Sequence, residues 1–323
     1  MGPNGASRLG RMTAGLRDFG RRHRTAITVV GSLATVAILA FLLAGRRDEF
    51  AAALSVAAWV LAVTVLLQIV ALLARSEAWH LSIEAAGGTL SRRLLYRASS
   101  MQVLGAVLNG QLGVASRIAA LRRWSPADSP QVPTLIAAEF PILAVEAMLA
   151  AVASFTLVAP LGLPWWLPII GLVMVGAASA GLRQLALRKG RELWRGLAVL
   201  RSLNHGSRVI GFVLVAVFAQ IFRNWLLLNE VGVDASIFDA TAVLIAVVTL
   251  AQLPVGPGVG AAAAVLILGS DGVAAAAAAG VLMTVTGTVG GLCFAGWAGA
   301  DRLWSVTNRA RLRRARARAP RSR

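Results

Sequence analysis

The chain has 323 residues, 57% of them hydrophobic and 14% charged, and its mean hydropathy is +0.72. Soluble domains carry roughly 25% charged residues, so a soluble protein is excluded. In a membrane protein, the net charge of +18 indicates basic loops on the cytoplasmic side that attract anionic lipids, rather than binding to nucleic acid. The single cysteine, the scattered histidines and the lack of a long hydrophilic stretch exclude a disulfide framework, a metal site and an autonomous catalytic domain, so we expect no cofactor and no enzymatic activity.

The N-terminal part of the chain predicts a basic arm and two membrane spans. Residues 1–25 are arginine-rich and read as a disordered cytoplasmic arm. Residues 26–44 are apolar and lack a small-x-small cleavage site, which favours an uncleaved span over a signal peptide. A second span is predicted over residues 50–74. Residues 75–97 mix charges with large apolar side chains around a glycine turn, as interfacial helices do.

Two later apolar segments are interrupted in ways that a membrane-spanning helix does not tolerate. Segment 98–120 contains polar Asn109 and then Gly113, and segment 241–272 contains two prolines and three glycines within residues 254–260. The arms on either side are shorter than the ~20 residues that span hydrocarbon. Because broken backbone at membrane depth must be buried or line a watery cavity, we predict two re-entrant hairpins. The alternative for the second segment is one full span followed by a surface helix.

The remaining spans and the arginine distribution predict the topology. Apolar spans are expected over residues 132–158, 163–185, 209–228 and 272–298. Basic residues concentrate in the arm, before and after segment 98–120, around residues 183–208 and in the tail. Placing these regions in the cytoplasm gives six full spans in the cell inner membrane, with both termini cytoplasmic and the hairpins entering from opposite faces. The predicted transmembrane domain covers residues 26–304, and an arginine-rich tail covers 305–323.

The two halves of the chain share an order of features. Each half has an arginine, a tryptophan, a glycine turn, a break about the same distance further on, and then an apolar span. We therefore predict an all-α, multi-pass helical bundle with an inverted repeat, although a chance match of spacing would look the same. Transporters with such repeats place the substrate site near the midplane, at the interface between the halves.

Ionisable residues within the spans are the main candidates for a functional site, because burying them in the membrane is costly. Glu139 and Glu146 are seven residues apart and share a helix face, and Arg117 and Arg223 carry the opposite charge. Two interpretations stay open: a polar groove in which the arginines bind lipid phosphate, or buried structural ion pairs. The candidate substrate-binding residues are Asn109, Gly113, Arg117, Glu139, Glu146, Arg223, Pro254, Gly256, Gly258 and Gly260.

A family resemblance appears at these residues. The pattern Asn109-x3-Gly113-x3-Arg117 resembles the asparagine–glycine–arginine motif of the lysylphosphatidylglycerol synthase/flippase transmembrane family. The run Leu253-Pro254-x2-Pro257-Gly258-x-Gly260 resembles its second signature, and Glu139 matches the family's glutamate in the next span. The resemblance implies a domain with two re-entrant elements that moves lipid-linked substrates, aminoacyl-phospholipids above all.

The chain departs from that family at three charged positions. Val114 and the alanines 261–264 stand where the family has acidic residues, and Phe140 stands where it has an arginine. Within the sequence no aminoacyl-transferase domain is recognised, so lipid synthesis is not expected.

Two functions remain open from the sequence. The first is a flippase-like transporter whose cargo is an anionic phospholipid or a lipid-linked sugar. The second is a non-transporting scaffold for a membrane enzyme, such as a glycosyltransferase or a lipid synthase. An open, lipid-sized groove lined by the intramembrane charges would favour transport, whereas fully sealed ion pairs would favour the scaffold.

Overall fold

The computed structural model describes residues 48, 51, 52, 54–108, 110–126, 129–187, 195–250, 259–269 and 272–318. This part of the chain is helical and contains no strand, which confirms the predicted all-α class at this level. The predicted arm 1–25 and the predicted span 26–44 lie outside the described residues.

The helices follow one another in a single bundle. In chain order they are α1 (Ala58–Ala85), α2 (Arg92–Leu108), α3 (Gly110–Trp124), α4 (Val132–Ala137), α5 (Phe140–Ala153), α6 (Val158–Leu161), α7 (Trp166–Leu187), α8 (Leu203–Glu230), α9 (Ile237–Leu250), α10 (Val259–Leu268) and α11 (Val273–Arg318). Single 3-10 turns cover Ser154–Leu157 and Ala198–Arg201.

Five helical segments of the described chain are long and apolar enough to cross a membrane. They are Ala58–Ala85, Val132–Leu161, Trp166–Leu187, Asn204–Glu230 and Val273–Ala300. These helices support a multi-pass membrane protein. Helices α2, α3, α9 and α10, which flank the two predicted breaks, do not qualify as spans.

The second of these segments is bent where a proline interrupts it. Residues Ala138 and Glu139 form a turn between α4 and α5, and Pro141 occupies the first turn of α5. Proline has no N–H to donate to the carbonyl four residues earlier, so the helix cannot run straight through this point. The break places the Glu139 carboxylate at a kink inside the span.

Helices α1 and α8 pack against each other along their length and form the centre of the bundle, and α11 packs against α1, α2 and α10. One apolar core surrounds Trp79, Leu95 and Leu121, and a second surrounds Leu227 and Val243. Helix α7 packs mainly on α5 and leaves most of its apolar surface exposed, as expected for a helix that faces lipid.

The connecting turns gather at two ends of the bundle. At one end, a Cβ atom on Gly87 would lie 3.8 Å from Arg195 Nη2, and one on Gly88 would lie 3.2 Å from Pro130. At the other end, the backbone N–H of Ala57 donates to Glu230 Oε1 at 3.0 Å, and Leu161 packs on the same apolar core as Val231 and Val233.

The two ends differ in charge. The first, which we call the basic end, carries Arg92, Arg93, Arg122, Arg123 and Arg195 in its helix ends and turns. The second, which we call the acidic end, carries Glu230, Asp234 and Asp239. Of the basic segments that were predicted to share one side of the membrane, the described turns near Arg92, Arg122 and Arg195 lie at one end of the bundle, and the N-terminal arm lies outside the described residues.

Helices α1 and α2 correspond to α8 and α9 by one constant offset. Four pairs of equivalent positions are each 145 residues apart. They are the starts of α1 and α8 (Ala58 and Leu203), their ends (Ala85 and Glu230), the turn glycines (Gly87 and Gly232) and the starts of α2 and α9 (Arg92 and Ile237). Both turn glycines, Gly87 and Gly232, have a φ of 88°. Each donates its N–H to the carbonyl three residues earlier, at 2.9 Å and 3.1 Å. The two segments thus share both their boundaries and their turn geometry.

Candidate functional site

A cavity of about 380 Å³ lies between α1, α2, α3 and α11. Its walls combine apolar side chains with two arginines and several neutral polar groups. The lining residues are Gln68, Leu72, Arg75, Ser76, Ser99, Gln102, Val103, Ala106, Arg117, Met283, Thr284, Gly287, Thr288 and Phe294.

Arg117, on α3, is the most deeply buried charge in the wall, with 1% of its surface exposed. Its guanidinium forms an ion pair with Glu139, at the kink before α5, and lies 3.8 Å from the centre of the Trp79 ring. A desolvated cation over a tryptophan face gains about 2 kcal/mol or more. The pair and the ring together hold a charged side chain against the cavity.

Arg75, on α1, is the second cation in the wall. It forms an ion pair with Glu146 on α5 at 2.7 Å, and the two side chains are 35% and 26% exposed. The two glutamates predicted to share a helix face therefore each form an ion pair with an arginine: Glu139 with Arg117, and Glu146 with Arg75. Glu146 pairs with Arg75, however, and not with Arg223.

Arg223, on α8, lies directly behind the cavity wall and does not line it. The guanidinium is 6% exposed and donates to three neutral oxygens: the side-chain oxygens of Gln68 and Gln220, and the backbone carbonyl of Met283. A Cβ atom on Gly287 would lie 3.2 Å from Arg223 Nη2, so this glycine leaves room for the guanidinium. Gln68, Met283 and Gly287 are all lining residues.

Three buried donors of cavity-lining residues have no hydrogen-bond partner in the described part of the chain. These are the hydroxyl of Ser99 and the Nε–H groups of Arg75 and Arg117. Buried polar groups are nearly always hydrogen-bonded, and an unsatisfied one costs about 1–3 kcal/mol. A ligand with acceptor oxygens in the cavity would offer these groups hydrogen-bond partners.

The described glycines of the two motifs, Gly113 and Gly260, lie at close helix contacts beside this cavity. A Cβ atom on Gly113 would lie 2.8 Å from the Gln102 carbonyl oxygen, so α2 and α3 are in close backbone contact. A Cβ atom on Gly260 would lie 2.8 Å from Thr284 Oγ1. Since Gln102 and Thr284 both line the cavity, each hairpin contributes to its surroundings.

A smaller polar cluster lies on α1 and α2, towards the basic end. The Tyr96 hydroxyl donates to Glu77, and Arg92 and His80 each lie 3.7 Å from the same carboxylate. Burial, and then the hydrogen bond and negative charge of Glu77, raise the pKa of Tyr96 to about 12. The hydroxyl therefore stays protonated at physiological pH and ties α2 to α1.

The structure brings together part of the predicted site and adds to it. Gly113, Arg117 and Gly260 lie at or beside the cavity, and the remaining described candidates contact its lining residues. Asn109, Pro254, Gly256 and Gly258 lie outside the described residues. Gln68, Ser99, Gln102 and Thr284 were missed by the sequence analysis, although a glutamine in the middle of an apolar span is a signal that could have found Gln68.

Comparisons with protein-family models, with curated proteins and with solved structures found no match for this chain. The resemblance to the flippase family rests on the motifs alone and stays a prediction.

Proposed function

We propose that this protein is a flippase-like integral membrane protein that handles or translocates lipid or lipid-linked substrates across the cytoplasmic membrane. The headgroup would bind in the cavity between α1, α2, α3 and α11. The observation that carries this proposal is the set of unsatisfied donors, Arg75 Nε, Ser99 Oγ and Arg117 Nε, on residues that line the cavity. Phosphate oxygens are natural acceptors for such groups.

The hairpin geometry supports two re-entrant elements. Helices α2 and α3 are antiparallel and start and finish near the basic end, while α9 and α10 start and finish near the acidic end. They have 17, 15, 14 and 10 residues, fewer than a span of about 20 needs. Their breaks would then face each other near the midplane, next to the cavity.

The constant offset between α1–α2 and α8–α9 supports an inverted repeat. The matching helices start from opposite ends of the bundle, as the halves of an inverted repeat do. Movement of one half against the other, along the α1–α8 contact, would open the cavity to each side in turn. The basic end would face the cytoplasm, in keeping with the positive-inside rule.

The second candidate function, a non-transporting scaffold for a membrane enzyme, is favoured by one specific observation. Both arginines of the cavity wall already have carboxylate partners, Glu139 and Glu146. Such pairs would fix the register of α1, α3 and α5 even if no ligand ever entered. A scaffold, however, has no need for a cavity with unsatisfied donors.

The test fills the cavity without disturbing the ion pairs. Thr288 lines the cavity and is exposed to it, whereas the next residue, Val289, is 42% exposed and does not line it. We expect Thr288→Trp to slow lipid translocation by about tenfold in reconstituted vesicles, and Val289→Trp on the same helix to leave it unchanged. Fluorescent anionic, aminoacylated and sugar-linked lipids, read with a membrane-impermeant quencher, provide the assay. If the wild type translocates none of them, the scaffold is the better explanation.

A further inference from the structure

We infer that the cavity selects a headgroup with one net negative charge, a phosphodiester without an amino group, and that Arg223 determines this preference from behind the wall. The inference rests on the proposed function, since it names the chemistry of the headgroup that the cavity would hold.

The charges around the cavity do not cancel. Arg117 pairs with Glu139 and Arg75 pairs with Glu146, whereas Arg223 has no carboxylate within ion-pair distance among the residues that the structure describes. Three cations against two carboxylates leave one positive charge. Because a guanidinium keeps its proton in proteins, that charge is permanent.

Arg223 is placed so that its charge acts on the cavity. Its Nη atoms contact Gln68 and Met283 and lie beside Gly287, and these three residues form part of the cavity wall. The oxygens around the guanidinium are neutral, so they solvate the cation without cancelling it. In a medium of low dielectric the interaction with a charge in the cavity is much stronger than in water.

The same count argues against other headgroups. A phosphomonoester dianion would leave an excess negative charge in the site. An aminoacylated or zwitterionic headgroup would bring an ammonium group, and both nearby carboxylates are already paired with arginines. The positions next to the hairpin glycines offer no other acid, since they hold Val114 and Ala261. Burying an unpaired ammonium group would be unfavourable.

A phosphodiester matches the short-range groups as well. Its two non-bridging oxygens can accept from Ser99 Oγ and from Arg117 Nε, two of the three unsatisfied donors of the wall. These donors would orient the phosphate, and Arg223 would supply the balancing charge one layer further out. The same chemistry is found in a lipid headgroup and in a water-soluble phosphodiester, so the experiment separates the two sources.

The experiment measures displacement of fluorescent phosphatidylglycerol from the full-length protein in an uncharged detergent. The competitors are phosphatidylglycerol, phosphatidylcholine, phosphatidate, lysylphosphatidylglycerol and soluble glycerophosphoglycerol. We expect phosphatidylglycerol to bind about tenfold more tightly than the other three lipids. Competition by glycerophosphoglycerol at similar concentrations would mean that the phosphodiester alone is recognised, and its failure would mean that the acyl chains are also needed. Both results agree with the inference.

The decisive variant is Gln68→Glu, which replaces the side-chain amide nitrogen with an oxygen. It places a carboxylate where the amide oxygen already accepts from Gln220 and Arg223. It neutralises Arg223 without removing it, and we expect the preference for phosphatidylglycerol to fall about tenfold. Arg223→Gln should do the same, and Arg223→Lys should retain part of the preference. Arg208→Gln, an exposed arginine on the same helix, is the matched control for the loss of one positive charge.

An unchanged preference for phosphatidylglycerol in Gln68→Glu would overturn the inference. An equal loss of that preference in Arg208→Gln would also overturn it. So would a wild type that binds phosphatidylcholine or lysylphosphatidylglycerol as tightly as phosphatidylglycerol. If Arg223→Gln does not fold, Gln68→Glu still decides. Selective binding without translocation in vesicles would reject the transport function and leave this inference standing. Translocation without charge preference would support the transport function and reject this inference.

Discussion

The guanidinium of Arg117 and the carboxylate of Glu139 form an ion pair that joins α3 to the kink between α4 and α5, against the face of Trp79. Both residues are at least nine-tenths buried. The pair therefore links α3 to a membrane span through two buried charges.

Removing one partner of this pair should destabilise the protein strongly. We expect Arg117→Gln or Glu139→Gln to lower the free energy of unfolding by about 3–5 kcal/mol, because each variant leaves the charge of the other residue buried and unpaired. The double variant Arg117→Glu with Glu139→Arg should recover part of the loss, but not all, since Trp79 would no longer face a cation. Thermal unfolding in detergent measures the effect. Strictly additive losses in the double variant would show that the two side chains are not coupled.

The charge count around the cavity predicts a change of ligand preference. Glu146→Gln leaves Arg75 without its carboxylate. The summed charge of Arg75, Arg117, Arg223, Glu139 and residue 146 then rises from one positive to two. We expect phosphatidate, which carries up to two negative charges, to gain about fivefold or more in affinity relative to phosphatidylglycerol. The displacement assay provides the measurement, and Arg208→Gln again serves as the control. An unchanged ratio of the two affinities would contradict the count.

Close packing of α10 on α11 depends on Gly280. A Cβ atom on Gly280 would overlap the backbone of Ala261, which cannot move without shifting the whole of α10. We expect Gly280→Ala to destabilise the protein by about 1–3 kcal/mol, as overpacking does. Gly296 lies on the same helix with nothing within 4 Å of its added Cβ, so Gly296→Ala should be neutral or slightly stabilising. Equal melting temperatures for the two variants would contradict the close contact.

The two turn glycines should respond alike. Gly87 and Gly232 have the same positive φ, and an added Cβ would be free of overlap at both positions, with the nearest atom 3.8 Å away at Gly87. Each alanine substitution should therefore cost about 1–2 kcal/mol for backbone strain alone. Gly211→Ala, in the open surface of α8, is the control. A large cost at one turn and none at the other would argue against equivalent turns in the two halves.

Cysteine labelling can test the orientation of the bundle. In a Cys293→Ala background, Arg195→Cys at the basic end should be protected from an impermeant reagent added to intact cells. Leu163→Cys, in the turn between α6 and α7, should react. The expectation follows from the preference of arginine-rich loops for the cytoplasm. The opposite pattern would reverse the topology while leaving the helix packing as described.

Some features of this protein follow from short stretches of sequence. The hydropathy of spans such as Trp166–Leu187, and the proline and glycines that end helices near Glu139, Gly87 and Gly232, act within a few residues. For that reason the helical membrane class and the turns at Gly87 and Gly232 could be predicted, whereas the turn at Glu139 was not, since residues 132–158 were expected to form one uninterrupted span. Among the described residues the basic turns group at one end, as the positive-inside rule predicts.

The composition of the site was decided only by the tertiary structure. From the sequence, Arg223 could bind lipid phosphate or belong to a structural ion pair; in the structure its side chain stands behind the wall and donates to Gln68, 155 residues earlier in the chain. Sequence analysis also could not tell that Glu146 pairs with Arg75, or that Ser99 faces the cavity without a partner. Hydropathy and backbone chemistry determine where each helix begins and ends. Which charges meet depends on the rotation and depth of one helix against another, and many distant side chains set these together.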